Sequence, residues 1–141
     1  MSQSREIVQQ WFDLIAAGDA AGAFALFADD IRYTLKGTTP ISGTYVGMKS
    51  LVDDFFTPWR KQIVGEIELT VDELIGDGAR IAARARGQAK TIFDQPYNND
   101  YVFIFGLSEG KIVEVIEYCD TTLIETAAYG KQLTTAGAGG D

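Results

Sequence analysis

The sequence predicts one α+β domain, with helices gathered in its first sixty residues and an antiparallel sheet after them. Two observations carry this. Apolar residues recur at helical spacing in three early stretches, then switch to a period of two after Gly65. Turn signals at Gly76-Asp77-Gly78 and Ser108-Glu109-Gly110 divide that second part into paired strands. Helices segregated from an antiparallel sheet define the α+β class, and 141 residues fit a single core.

Taken in order, residues 4–17 place Ile7, Val8, Trp11, Phe12, Leu14 and Ile15 on one helical face, with Arg5, Glu6, Gln9, Gln10 and Asp13 opposite. Ser4 is the expected N-cap and Gly18 the expected stop. Asp19 opens a second, short helix whose buried stripe is Ala20, Ala23, Phe24 and Phe27, ended by Asp29-Asp30. Ile31, Tyr33 and Leu35 alternate with Arg32, Thr34 and Lys36 as a strand, and Gly37 to Gly43 reads as a loop around Pro40. Met48, Leu51, Val52, Phe55, Phe56 and Trp59 predict a third helix, broken near Pro58. Ile67, Leu69, Val71 and Ile75 form a hairpin with Ile81, Ala83 and Ala85. A second hairpin joins residues 100–107 to 111–120. Its strands are apolar on both faces, so helices should cover one face of the sheet and a partner subunit the other. Residues 1–130 make the domain and residues 131–141 a flexible Gly-rich tail.

Composition excludes several functions. The net charge of -8 and the scattered Lys and Arg give no electrostatic footprint for nucleic acid. No apolar run is long enough to span a membrane. No secretory signal is visible at the N-terminus, and the single Cys119 cannot form an intrachain disulfide. A cytoplasmic protein is expected. There is no His, which removes Ser-His-Asp and Cys-His catalysis and His-ligated zinc. One Cys cannot build a thiolate site, so neither metal nor cofactor is expected. Acid–base chemistry is left to Asp, Glu, Tyr, Lys or Cys.

Several strings in this order resemble the SnoaL-like branch of the nuclear-transport-factor-2-like superfamily. They are Ala17-Gly18-Asp19, Leu26-Phe27-Ala28-Asp29-Asp30, Ser42-Gly43-Thr44, Tyr97-Asn98-Asn99-Asp100-Tyr101, Gly110-Lys111-Ile112-Val113 and Glu117-Tyr118-Cys119-Asp120-Thr121. The resemblance implies a cystatin-like cone, a curved antiparallel sheet wrapped around about three N-terminal helices. It implies a pocket inside the cone for a small apolar ligand, and a homodimer through the outer sheet face. The family holds ketosteroid isomerases, polyketide cyclases, epoxide hydrolases, dehydratases and non-catalytic binders, among which the fold does not choose.

By that resemblance, the base of the steroid isomerases falls near Leu35, their oxyanion Tyr at Trp11, and their carboxyl partner near Val102 or Asp100. That residue set is not intact. The key Asp of the cyclases and epoxide hydrolases resembles Asp120, and Arg84 or Arg86 could supply an Arg, although the second carboxylate of the epoxide hydrolases is missing. Asp120 is therefore the candidate acid or base, with a Tyr or an Arg, Arg84 for choice, as polariser of a carbonyl. Asp120 also precedes Thr121-Thr122, where an Asp caps a turn, and Arg84 alternates with Ala83 and Ala85 as a solvent-facing residue would. Glu117 has opposite strand parity to Tyr118 and Asp120, so both acids face inward only across a bulge. Trp11, Tyr33, Phe56, Trp59, Tyr101 and Tyr118 are the candidate ligand contacts. Cys119 reads as an inert packed thiol. The function expected is acid–base catalysis of the cyclase, isomerase or dehydratase type on a small apolar carbonyl or cyclic compound; the alternative is a binding protein of the same fold.

Overall fold

A computed structural model describes residues 2–137. Helix α1, Gln3–Ala16, is capped by Ser2, whose side chain accepts from the Arg5 N–H at 3.2 Å. The cap thus lies two residues before the expected Ser4, which sits inside the first turn. Gly18 closes α1 with φ +76°, a conformation that glycine adopts without strain. Asp19 caps α2, Ala20–Phe24, accepting from Gly22 N–H at 2.8 Å. This helix is shorter than expected. Phe27 already begins strand β1, Phe27–Leu35, where it pairs with Ile112. Asp29 and Asp30 fall in an irregular stretch of that strand.

The segment after the loop adds a short strand β2, Gly43–Val46, paired antiparallel to β1. Helix α3 then runs over residues 48–60 without the expected break at Pro58. Its middle, Leu51–Phe56, is π-helical: Thr57 N–H bonds to Val52 O, five residues back. Pro58 follows in the first turn of the α-helical end, Thr57–Arg60. There its missing N–H costs little.

Strands β3 (Ile63–Ile75), β4 (Arg80–Thr91), β5 (Asn99–Ser108) and β6 (Lys111–Cys119) form the two expected hairpins. The sheet order is β2-β1-β6-β5-β4-β3, antiparallel except for the parallel pair β1–β6. Register shifts between Val64 and Glu68 and between Val71 and Glu73 mark bulges in the long β3–β4 ribbon. Bulges bend strands and increase their twist, which curves the sheet over the helices. The core lies on that inner face, where Trp11 and Phe12 pack edge-on against Phe105 with ring centroids 5.6 and 5.8 Å apart.

A last helix, α4, covers residues 121–128 and was not expected from the sequence. Ile124, Ala127 and Ala128 are buried. Thr91 Oγ1 donates to Ala127 O at 2.7 Å and Gln62 Nε2 to Ala128 O at 2.6 Å, which fastens it across the end of the sheet. Of the expected tail, residues 131–137 are exposed and form neither helix nor strand; residues 138–141 lie outside the described residues. Among the described residues no helix is long and apolar enough to cross a membrane.

Candidate functional site

The inner faces of β1, β5 and β6 meet α1, α2 and α3 around a cavity of about 240 Å³. Trp11, Phe24, Phe55, Phe56 and Trp59 supply its aromatic wall. Arg60 and Glu66, both largely exposed, mark its open end. Tyr33, Tyr101 and Glu117 bring polar atoms to the buried end.

Glu117 faces inward because Val115 and Glu117 share a parity along β6, and both are buried. Its Oε1 accepts from the Tyr33 hydroxyl at 2.6 Å. Burial pushes the Glu117 carboxyl up to about 7, against a smaller downward pull from the Tyr33 hydrogen bond. Tyr33 in turn is held well above the usual phenol range, first by burial and then by the charge of Glu117. It therefore stays a donor at neutral pH. A carboxyl poised near neutrality, with its partner fixed and apolar rings around it, can give or take a proton under ordinary conditions.

Tyr101 stacks on Phe103 with ring centroids 5.2 Å apart. Its ring lies so close to β4 that a Cβ on Gly87 would meet Tyr101 Cε2 at 3.0 Å and Ile67 Cγ2 at 3.0 Å. Glycine at position 87 thus makes room for this side chain. The Tyr97 hydroxyl, outside the cavity, accepts from Asn99 Nδ2 at 2.9 Å. Burial drives both phenols upward in pKa. Cys119 is pushed up to about 12, mainly by burial and then by the charge of Glu117, so its thiol is inert at neutral pH. Trp11 Nε1 is the one buried side-chain polar atom among the described residues without a hydrogen-bond partner.

The structure corrects the placement of four candidates. Asp120 is not in the cavity: it is exposed and caps α4, its Oδ1 accepting from Leu123 N–H at 3.3 Å. Arg84 points to the outer face, 2.9 Å from Glu73, and Arg86 does the same with Asp72 at 2.9 Å. Alternation along β4 fixes this, since the inward neighbours Ala83 and Ala85 are buried. Tyr118 also lies on the outer face and is 43% exposed. Trp11, Tyr33, Phe56, Trp59 and Tyr101 do line the cavity. Of the positions matched to the steroid isomerases, Leu35 is buried and apolar, while Asp100 and Val102 are exposed. Phe103 also lines the cavity and was not singled out as a site residue. Its signal was the aromatic run at alternate positions, Tyr101, Phe103 and Phe105, on the inward parity of β5. Among the described residues no group of three acidic, Cys or His side chains is placed to hold a metal ion.

Comparison with known proteins agrees with this architecture. An NTF2-like protein of unknown function from Burkholderia pseudomallei superposes with a TM-score of 0.82 at 21% identity, covering 91% of this chain and 98% of that one. TerC, co-crystallised with polyporic acid, gives 0.80 at 17% identity over 91% and 99% of the two chains. A protein from Jannaschia named as a candidate SnoaL-like polyketide cyclase gives 0.74 at 16% identity over 92% and 94%. No curated protein matches the chain. The family model for the SnoaL-like domain matches residues 8–115, and the chain belongs to that family within the NTF2-like superfamily.

Proposed function

We propose that the cavity takes up a small, mostly apolar carbonyl or cyclic compound and that Glu117 exchanges a proton with it, as in an isomerase, cyclase or dehydratase step. The observation that carries this reading is the buried Tyr33–Glu117 pair at the closed end of an aromatic chamber. Tyr33 occupies Oε1 and leaves Oε2 for the substrate. Above pH about 7 the carboxylate is the base; below it, the neutral acid is the donor. The names of the neighbours, a candidate polyketide cyclase and a protein crystallised with polyporic acid, fit a chamber for cyclic compounds. A cavity of about 150 Å³ holds benzene, so this one suits a ligand of about two rings.

The test uses 1-tetralone, a two-ring ketone, in D₂O at pH 8. Loss of its α-proton NMR signal is expected to be catalysed by the native chain and slowed about 10²-fold or more in Glu117→Gln. Binding of 1-tetralone with no exchange beyond the Glu117→Gln rate would leave a binding protein without proton chemistry.

The reading includes a homodimer through the outer sheet face. Val102 and Tyr118, paired across β5 and β6, are 40% and 43% exposed. Arg84 and Glu73 flank them with opposite charges that a two-fold axis can match. Sedimentation equilibrium is expected to give twice the chain mass, and Tyr118→Glu to give a monomer.

A further inference from the structure

The closed end of the chamber sets a half-satisfied carboxyl among aromatic rings. Glu117 is 9% exposed, and its Oε1 accepts from Tyr33. Its Oε2 has no hydrogen-bond partner among the described residues, yet it is not walled in, since the one enclosed side-chain polar atom without a partner is Trp11 Nε1. Oε2 therefore borders the cavity that Glu117 lines. Four elements bring rings to it. Phe103 on β5 stands directly opposite Glu117 on β6, and such cross-strand neighbours have their Cβ atoms about 5 Å apart. Tyr101 stacks on Phe103, and Trp11 of α1 tilts against it with ring centroids 6.2 Å apart. Tyr33 on β1 meets Phe55 and Phe56 of α3 at 5.1 and 5.7 Å. All six rings line the cavity. The angles between their planes run from 20° to 68°, so they offer faces in more than one direction. Among the described residues the only Lys or Arg in the wall is Arg60, at the open end beside Glu66.

We propose that the chamber is also a site for organic cations: a protonated amine on an apolar ring, its N–H donating to Glu117 Oε2 and its charge lying against the aromatic faces. The match has three parts. An ammonium carries donors only, and Oε2 is an acceptor without a donor. Aromatic faces are electronegative and attract a desolvated cation. The ammonium also brings the counter-charge that a buried carboxylate lacks, and a buried ion is tolerated when it is paired and hydrogen-bonded. An anionic ligand meets the reverse of each. The net charge of -8 draws cations toward the mouth. The proposal rests on the reading of the cavity as a ligand site, and adds a charged ligand class to the neutral one.

The experiment is calorimetric titration at pH 8 with 1-aminotetralin and with 1-tetralol, which keeps both rings and carries a neutral hydroxyl in place of the ammonium. The amine is protonated at pH 8, as a lysine is, and Glu117, at about 7, is mostly ionised. The native chain is expected to bind the amine about tenfold or more tightly than the alcohol, the worth of a hydrogen bond between charged groups. Glu117→Gln should erase that preference by weakening the amine far more than the alcohol. Phe103→Leu, which removes a ring face and stays apolar, should weaken the amine about threefold more than the alcohol. Equal affinity of the native chain for the two ligands would overturn the proposal. So would a preference that survives in Glu117→Gln, because the chain's overall charge would then account for it. Equal losses in Phe103→Leu would refute the aromatic seat. Exchange of 1-tetralone without a preference for the amine would sink the cation site alone, and a preference for the amine without exchange would sink the proton chemistry alone. Binding of neither titrant would remove the ligand site and the cation site together.

Discussion

The two faces of the sheet treat charge in opposite ways. On the outer face, Arg80, Arg84 and Arg86 each meet a carboxylate: Glu114, two strands away across Gly106, at 3.2 Å, and Glu73 and Asp72 on the next strand at 2.9 Å each. These arginines are more than half exposed, and water and salt screen such pairs until they contribute little. At the buried end of the cavity one acid, Glu117, has a phenol for a partner and no cation among the described residues. The outer face carries many charges with little consequence, while the buried end of the cavity carries one acid whose protonation state reports its surroundings. A charge becomes chemically useful in this fold where it is left unpaired and dry.

The largest expected effect tests that contrast through pH. The Glu117 carboxyl moves from 4.5 unfolded to about 7 folded. The folded state thus holds its proton more tightly, and the contribution is fully present below pH 4.5 and lost as pH rises through 7. At about 1.4 kcal/mol per unit, the loss is about 3 kcal/mol. Urea denaturation of Glu117→Gln should lack this slope, so the variant gains on the native chain between pH 4.5 and 8. Tyr33→Phe should move the midpoint of that titration upward, since the hydrogen bond it removes favours the carboxylate. A native chain whose stability follows that of Glu117→Gln at every pH would place the carboxyl in water.

Gly87→Ala is next, at about 1–2 kcal/mol, because the new methyl presses on Tyr101 and Ile67. It should also weaken 1-tetralone binding, because Tyr101 and Ile67 line the cavity although Gly87 does not. Asp120→Ala should lose about 1 kcal/mol through the uncapped end of α4. It should leave 1-tetralone exchange unchanged, which separates the capping acid from the cavity acid three residues before it. Arg84→Ala should leave the exchange rate unchanged, because Arg84 lies on the outer face. A clear loss of exchange there would mean that the two faces are coupled.

The helical and strand periods made the order of elements and both hairpins readable, because one face of each element is buried and the other is wet. The identity of the acid was not readable. Strand β6 is apolar on both faces, with Ile112 and Val113 adjacent and Val115 and Ile116 adjacent. The β5–β6 register also shifts between Gly106 and Leu107, opposite Glu114 and Ile112. Ile112 and Val115 are both buried although three residues apart, so strict alternation counted from either end gives conflicting faces. The pattern therefore could not say that Glu117 points in. Asp120 was favoured by resemblance alone, whereas its local string, an Asp before Thr121-Thr122-Leu123, carried the capping signal that the structure bears out. Helix α4 escaped notice because it is short and its burial depends on distant partners, Gln62 and Thr91.

The π-helical stretch Leu51–Phe56 has a consequence for how this chamber can change. A π turn takes up one more residue than an α turn. Removing one residue there would restore regular α-helix and leave Trp59 and Arg60 facing the chamber, whereas a deletion in the α-helical end would rotate everything beyond it by about 100°. The ligand boundary on this side thus tolerates a change of chain length at one place in the helix and not at its neighbours.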